Sequence, residues 1–299
     1  MKVLKPGPGW QPMLDAAAGL GIRRMGIEDQ YMTVANHEGL KSAFSNVVLL
    51  VSSGRMFNCL RAAKYPDERK AILNACAITA RVASWLPGLI CPGMTEKELA
   101  ARVDSLMRLS GADGPAFDTI ALTGARTSMP HGVPGNKTIR RGDLVLVDFG
   151  AKVGGYHSDC TRTFSAGAPT TAQKVAYRAV YRAYMAARSR ALPGVVAAAP
   201  WKAAMKSLGN RGRYFIHGLG HGVGLEIHEA PSLSEGSREI LRPGQFVTVE
   251  PGIYIPGWGG IRLEDTVIIT SQGPRSVTGT LSRSLPVAGV PVKIGGAGI

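Results

Sequence analysis

His217-Gly218-Leu219-Gly220-His221-Gly222-Val223-Gly224, running on to His228-Glu229-Ala230-Pro231, is the stretch from which the rest of the chain is read. It holds three of the chain's six histidines. Glycine recurs between the imidazoles, so backbone can pass close to whatever they hold. One histidine alone is more often a packed core residue than a ligand. Three within twelve residues point to a site.

Carboxylates flank this stretch on both sides. Asp148 closes the apolar run Leu144-Val145-Leu146-Val147, and Glu250 closes Phe246-Val247-Thr248-Val249. A carboxylate ending such a strand is costly unless it is paired, solvated or on a metal. Asp159 follows Asp148 by eleven residues across Gly154-Gly155, a hairpin signal that can bring two strand acids to one side. Two acids that close repel, so a cation belongs between them. The plainer alternative is that Asp159 caps a turn and Asp148 pairs with an arginine. In Arg262-Leu263-Glu264-Asp265, Arg262 and Glu264 share one strand face by the period of two, and Asp265 faces the other way. Asp148, Asp159, His221, Glu250 and Glu264 together outline a carboxylate-bridged pair of divalent ions, about 3.5–4 Å apart. The oxygen-rich set suits manganese first, with cobalt, ferrous iron or zinc also admitted.

The bulk of the chain sets limits. Its 299 residues suit one large domain or two smaller ones. No apolar run suggests a bilayer span, and Pro6-Gly7-Pro8 interrupts any signal-peptide core. The expectation is a cytoplasmic protein. Cys59, Cys76, Cys91 and Cys160 form no Cys-x-x-Cys pair and are expected to be reduced, buried and structural. Cys160, beside Asp159, reads as packing rather than as a ligand. The net charge is +14, and the excess is local: residues 160–225 carry ten Lys and Arg and no Asp or Glu. Such a face attracts polyanions. No aromatic-interleaved basic motif accompanies it, so a solvated surface is expected and a nucleic-acid partner is not.

In chain order, helix over 11–20, strand over 23–28, helix over 36–44 and a buried strand over 47–51 make a small α/β piece. A boundary near Tyr65-Pro66 separates 1–65 from 66–299. Helix over 71–86 is predicted to stop at Pro87-Gly88, and the capping box Thr95-x-x-Glu98 opens another helix through 107. Strands follow over 119–122, 144–149, 151–157 and 160–164. Helices over 170–192 and 201–208 come next, then strands over 245–249, 252–255 and 261–269. Each half reads helix, helix, strands, which suggests an internal duplication. The tail around 295–298 is expected to be loose.

Six segments together resemble the pita-bread metallopeptidases, over roughly residues 55–285. They are residues 130–134, 141–151, 155–164 and 217–231, then Val249-Glu250-Pro251-Gly252-Ile253-Tyr254 and Gly259-Gly260-Ile261-Arg262-Leu263-Glu264-Asp265. The resemblance implies an α+β fold. Pseudo-duplicated helix-helix-strand halves would surround a curved antiparallel sheet, preceded by a truncated α/β N-terminal segment. It also implies that Asp148 holds one ion, that Asp159 and Glu264 bridge both, and that His221 and Glu250 complete the other site. A bridging water or hydroxide would attack the scissile carbonyl, with Glu250 taking its proton. His131 and His228 would contact the substrate and stabilise the tetrahedral intermediate, and His217, Tyr254 and Arg262 would shape its pocket.

Within that superfamily the chain resembles the Xaa-Pro branch. Pro130 stands before His131 where methionine aminopeptidases typically have Cys, Arg262 sits two before the last glutamate ligand, and Tyr254 also matches. The implied substrate is a peptide or dipeptide with proline second, and the implied assembly is a homodimer. A methionine aminopeptidase is the first alternative, and a catalytically silent binding protein on the same fold is the second. The departure is at the start, where relatives carry a complete N-terminal domain and only a remnant is recognisable in 1–65.

Overall fold

Periodicity and capping signals resolve into seven α-helices and fifteen strands among residues 9–44 and 48–289, the part of the chain described by this computed structural model. Two units separate, Met1–Arg61 and Ala62–Ile299. In the first, α1 (Gln11–Gly19), β1 (Arg24–Ile27), α2 (Val34–Phe44), β2 (Leu49–Ser52) and α3 (Gly54–Ala62) follow in order. β1 and β2 pair in parallel across α2, and Ala17, Ile27, Leu40, Phe44 and Val48 form the small core. The strand expected over 47–51 begins at Leu49, and Val47 lies outside the described residues. It is not the buried strand its β-branched run suggested. The sheet has two strands, and Leu49 is 61% exposed. Helix α3 has no local signal. Its first amide, Gly54 N–H, donates to Asp29 Oδ1 at 3.0 Å, a cap supplied from 25 residues away.

The second unit begins with α4 (Pro66–Leu89) and α5 (Glu96–Leu109). Strands β3 (Gly114–Pro115), β4 (Ile120–Thr123), β5 (Leu144–Phe149), β6 (Ala151–Val153), β7 (Tyr156–His157) and β8 (Cys160–Ser165) follow. Helices α6 (Thr171–Arg188) and α7 (Ala198–Leu208) open the second half. Then come β9 (Gly220–Gly222), β10 (Glu229–Leu233), β11 (Phe246–Val249), β12 (Gly252–Ile255), β13 (Gly259–Arg262), β14 (Asp265–Thr270) and β15 (Gly273–Ser276). The order helix, helix, strands thus occurs twice, and every strand ladder in this unit is antiparallel. One core packs α4 and α5 on β5 and β8 through Leu86, Leu99, Val103, Val145, Val147 and Phe149. The other packs α6 and α7 on the second set of strands through Tyr177, Val180, Leu208, Val247, Val249 and Val267.

Several boundaries moved for physical reasons. α4 runs through Pro87 to Leu89, because proline so near the helix end removes one bond while the Ile90 amide still reaches Leu86 O. Its 24 residues are long and apolar enough, by length and composition, to cross a bilayer. Here Ile72, Ala75, Cys76, Val82 and Leu86 are instead buried in the protein core, as in a core helix. The single strand expected over 261–269 breaks between β13 and β14. There Leu263 N–H turns to Pro251 O and Glu264 N–H to Thr161 O. The cysteines are all free thiols, but Cys59 and Cys91 are exposed, against the expectation that all four are buried. The loose tail expected around 295–298 lies outside the described residues.

The glycine-rich histidine stretch is itself a strand, β9, held between β10 and β11. A Cβ on Gly220 would lie 2.1 Å from Thr248 O, and one on Gly222 would lie 2.1 Å from Ala230 O. Neighbouring carbonyls occupy the space that side chains would need, so the alternation of glycine is a packing requirement. Gly222→Ala is expected to cost about 1–3 kcal/mol or more of stability in urea unfolding. Gly236→Ala, where nothing lies within 4 Å, should stay within about 0.5 kcal/mol. Equal effects at the two positions would contradict the packing account.

Candidate metal centre

The period of two decides where Asp148 points. On β5, Val145, Val147 and Phe149 fill the core under α4 and α5, while Asp148 shares the opposite face with Leu144. Asp148 pairs across the ladder with Thr161 of β8. Asp159 stands just before β8, clamped by Thr266: its N–H donates to Thr266 Oγ1 at 3.2 Å, and that hydroxyl donates to Asp159 O at 2.8 Å. The break between β13 and β14 places Glu264 against β8, where Thr161 Oγ1 donates to Glu264 Oε2 at 2.5 Å. Asp265 points the other way, as expected, into bonds with Arg162 and Tyr184. Cys160 is fully buried in the helix-side core, and burial holds its thiol well above its ordinary value.

Asp148, Asp159 and Glu264 each bring one carboxylate oxygen within 4.8 Å of the others. His221 joins from β9, its Nε2 at 3.6 Å from Asp159 Oδ2 and 3.4 Å from Glu250 Oε1. Its Nδ1 lies 3.1 Å from Gly222 O, a carbonyl that can only accept. Nδ1 therefore carries the proton, and Nε2 turns a lone pair toward two carboxylates. Burial, then the nearby His228, pushes His221 down to about 3, so the ring is neutral at physiological pH.

Repulsion in this cluster is strong. Burial first, then Glu264, Asp148 and Glu250, holds the Asp159 carboxyl well above the usual carboxylate range. Burial, then Glu250 and Asp148, does the same to Glu264. Burial pushes Glu250 up to about 8, with Arg262 pulling the other way. Asp148 Oδ1, Asp159 Oδ1 and Glu264 Oε1 are buried without a hydrogen-bond partner. Orphaned acceptors, a lone pair aimed at carboxylates and mutual repulsion are all relieved by the same thing, a cation among these oxygens. The donor set therefore fits a hard or borderline divalent metal.

Among the described residues, the guanidinium bonded to one of these carboxylates is Arg262, buried at 2% exposure. Its Nη2 donates to Asp148 Oδ2, its Nε to Thr161 Oγ1 at 3.0 Å, and its Nη1 to Tyr254 Oη at 2.9 Å and Pro130 O at 3.1 Å. Tyr254 in turn donates to His217 Nε2 at 2.8 Å, and His217 Nδ1–H to Gly218 O at 2.7 Å. Both His217 nitrogens are thus engaged, leaving its ring as the part it presents to the cavity. A cavity of about 240 Å³ opens over the centre, lined by His131, His217, His228 and Arg262 together with all five acidic and imidazole candidates. Tyr254 is buried behind this wall. His228 packs edge-on against His221, with ring centroids 4.3 Å apart.

Sequence reasoning missed the threonines that hold the acids. Thr161 bonds Glu264 and Arg262, and Thr248 accepts from His221 N–H while donating to Glu250 Oε1 at 3.1 Å. The available signal was again the period of two, since Thr248 sits two before Glu250. Phe117, Ile120 and Ile227, which give the cavity an apolar wall, carried no signal.

A protein-family model described as Metallopeptidase family M24 matches residues 70–271. The chain belongs to this family. It is 41% identical over 262 residues to an Xaa-Pro dipeptidase of Pyrococcus horikoshii, covering 87% of this chain and 74% of that protein. Among solved structures it is similar to an Xaa-Pro dipeptidase from Bacillus anthracis. There the TM-score is 0.88 at 36% identity, over 92% of this chain and 78% of that one. An X-Pro aminopeptidase from Thermotoga maritima superposes with a TM-score of 0.87 at 34% identity, over 93% and 78% of the two chains. The mixed α+β architecture matches these pita-bread structures, and the relatives favour the Xaa-Pro branch over the methionine aminopeptidase alternative. M24 enzymes are metal-dependent peptide hydrolases, in keeping with the acidic cluster.

The raised carboxyls give a pH test. Without metal, Asp159, Glu250 and Glu264 are all raised, so the folded chain holds protons there, on Glu250 up to about pH 8, that the unfolded chain releases. That contribution is present below the ordinary carboxylate range and is lost as pH rises through about 8. The depressed histidines His217, His221 and His228 act in the opposite sense, but only below about 6.5. Between pH 7 and 8.5 the stability of metal-free protein should therefore fall, by up to about 1.4 kcal/mol per pH unit for each proton held. Added manganese should remove the slope. A flat or rising profile without metal, measured by urea unfolding, would contradict the arrangement.

Proposed function

We propose that the chain hydrolyses the peptide bond between an N-terminal residue and proline, using two divalent ions held by Asp148, Asp159, His221, Glu250 and Glu264. The observation that supports the pair is the position of Asp159. It lies within 4.8 Å of Asp148 and Glu264 on one side, and 3.6 Å from His221 on the other. One carboxylate belonging to two groups suits a shared ligand. Manganese is the first choice of metal, with cobalt, ferrous iron or zinc as alternatives. Bound divalent ions supply Lewis acidity toward the scissile carbonyl and a nucleophile available at neutral pH.

The chain's own residues do the rest. Glu250, which lines the cavity beside His221, takes the proton of the attacking nucleophile and returns it to the leaving nitrogen. His131 and His228 stand at the cavity mouth and donate to the substrate carbonyl as charge builds on its oxygen. Phe117, Ile120 and Ile227 give the pyrrolidine ring an apolar wall. Arg262 holds Asp148 on one side and, through Tyr254, fixes the His217 ring on the other. The substrate class rests on the names of the relatives and on these pocket residues. A homodimer and a cytoplasmic location rest on family resemblance alone.

Metal-loaded protein should release the first residue from Xaa-Pro dipeptides or Xaa-Pro-peptides, and a length series separates dipeptidase from aminopeptidase. Glu250→Gln should lower kcat by roughly 100- to 10,000-fold. Faster turnover of Met-Ala than of Met-Pro peptides would move the chain to the methionine branch. No turnover with any divalent ion would defeat the reading.

A further inference from the structure

A second cavity lies on the opposite side of the Glu264–Asp265 pair from the metal centre. It measures about 260 Å³ and is walled by Tyr184 and Arg188 of α6, Asp265, Arg275 and Ser276 of β14 and β15, and Thr280 beyond them. Its charge balance is unusual. Asp265 is the one carboxylate in the wall, and its oxygens are already taken. Arg162 Nη2 and Thr278 Oγ1 donate to Oδ1 at 2.8 and 3.1 Å, and Tyr184 Oη and Ser276 Oγ donate to Oδ2 at 2.7 and 2.6 Å. Arg162 neutralises it. Arg188 and Arg275 are left without an acidic partner among the described residues. Arg188 Nε is moreover buried with no hydrogen-bond acceptor. A buried guanidinium N–H without an acceptor costs free energy unless a ligand supplies one.

We propose that this cavity binds a small phosphate-class oxyanion. Two unneutralised guanidiniums, one on a helix and one on a strand, match a dianion, and a tetrahedral group has enough oxygens to accept from both and from the Thr280 hydroxyl. A monocarboxylate offers one charge and two oxygens. The site also gives part of the basic span 160–225 a specific use, since Arg188 lies within it. The bound anion would tie α6 to the β14–β15 hairpin, adding bonds absent from the free chain.

The test uses the full metal-loaded chain and inorganic phosphate, with ionic strength held constant by chloride. Phosphate should slow phenylglyoxal modification of Arg188 and Arg275, mapped by peptide mass, while Arg211 and Arg213 react as before. It should also raise the unfolding temperature saturably. Arg188→Gln with Arg275→Gln should weaken that stabilisation about ten-fold or more in phosphate affinity. The difference from the parent chain isolates this site from any phosphate at the metal centre. Arg211→Gln with Arg213→Gln should leave the response unchanged. Absent protection of Arg188, protection shared equally by Arg211, or equal protection by acetate would each overturn the proposal. The wild-type protection measurement decides even if the double variant fails to fold.

Discussion

Three carboxylates crowd one buried spot, and everything around them is arranged to make that tolerable. Asp148, Asp159 and Glu264 are each at most 8% exposed, and each keeps one oxygen without a partner. Burying such groups together is unfavourable unless a cation or protons join them. Arg262 supplies one positive charge, spent largely on Asp148. The Thr161 hydroxyl satisfies one oxygen of Glu264. The rest of the demand is what a divalent metal meets.

The fold serves this constraint by bringing the two halves together at strand ends. Asp148 lies on β5 and Asp159 just before β8, while His221 lies on β9, Glu250 just after β11 and Glu264 in the break between β13 and β14. His221 reaches the acids because β9 is threaded between two strands with no room for neighbouring side chains. The break before β14 is equally purposeful. There the amide of Glu264 donates to Thr161 O, while the side chains of Glu264 and Asp265 face opposite ways, one toward the metal centre and one into the Arg162–Tyr184 network.

Much of this was legible in the chain itself. Asp148 and Glu250 stand out because a charge ending an apolar run is anomalous, and β5 and β12 have the bounds expected for them. What escaped depended on distant partners. Helix α3 is capped by Asp29 from another element, and β9 was hidden because glycine is a poor strand signal until the flanking carbonyls are seen. His217 illustrates a subtler limit. It lines the cavity, and one of its two nitrogens is engaged by Tyr254, which Arg262 bonds from farther along the chain.

The central claim is that this acidic cluster is a two-metal site, and metal stoichiometry tests it most directly. Manganese titrated into metal-stripped protein at pH 7.5, followed by calorimetry in buffers of different ionisation enthalpy, reads both ion count and proton release. The account expects two ions per chain, with protons displaced on binding, and loss of at least one ion in Asp159→Asn. No saturable binding, or undiminished binding of two ions in that variant, would contradict it.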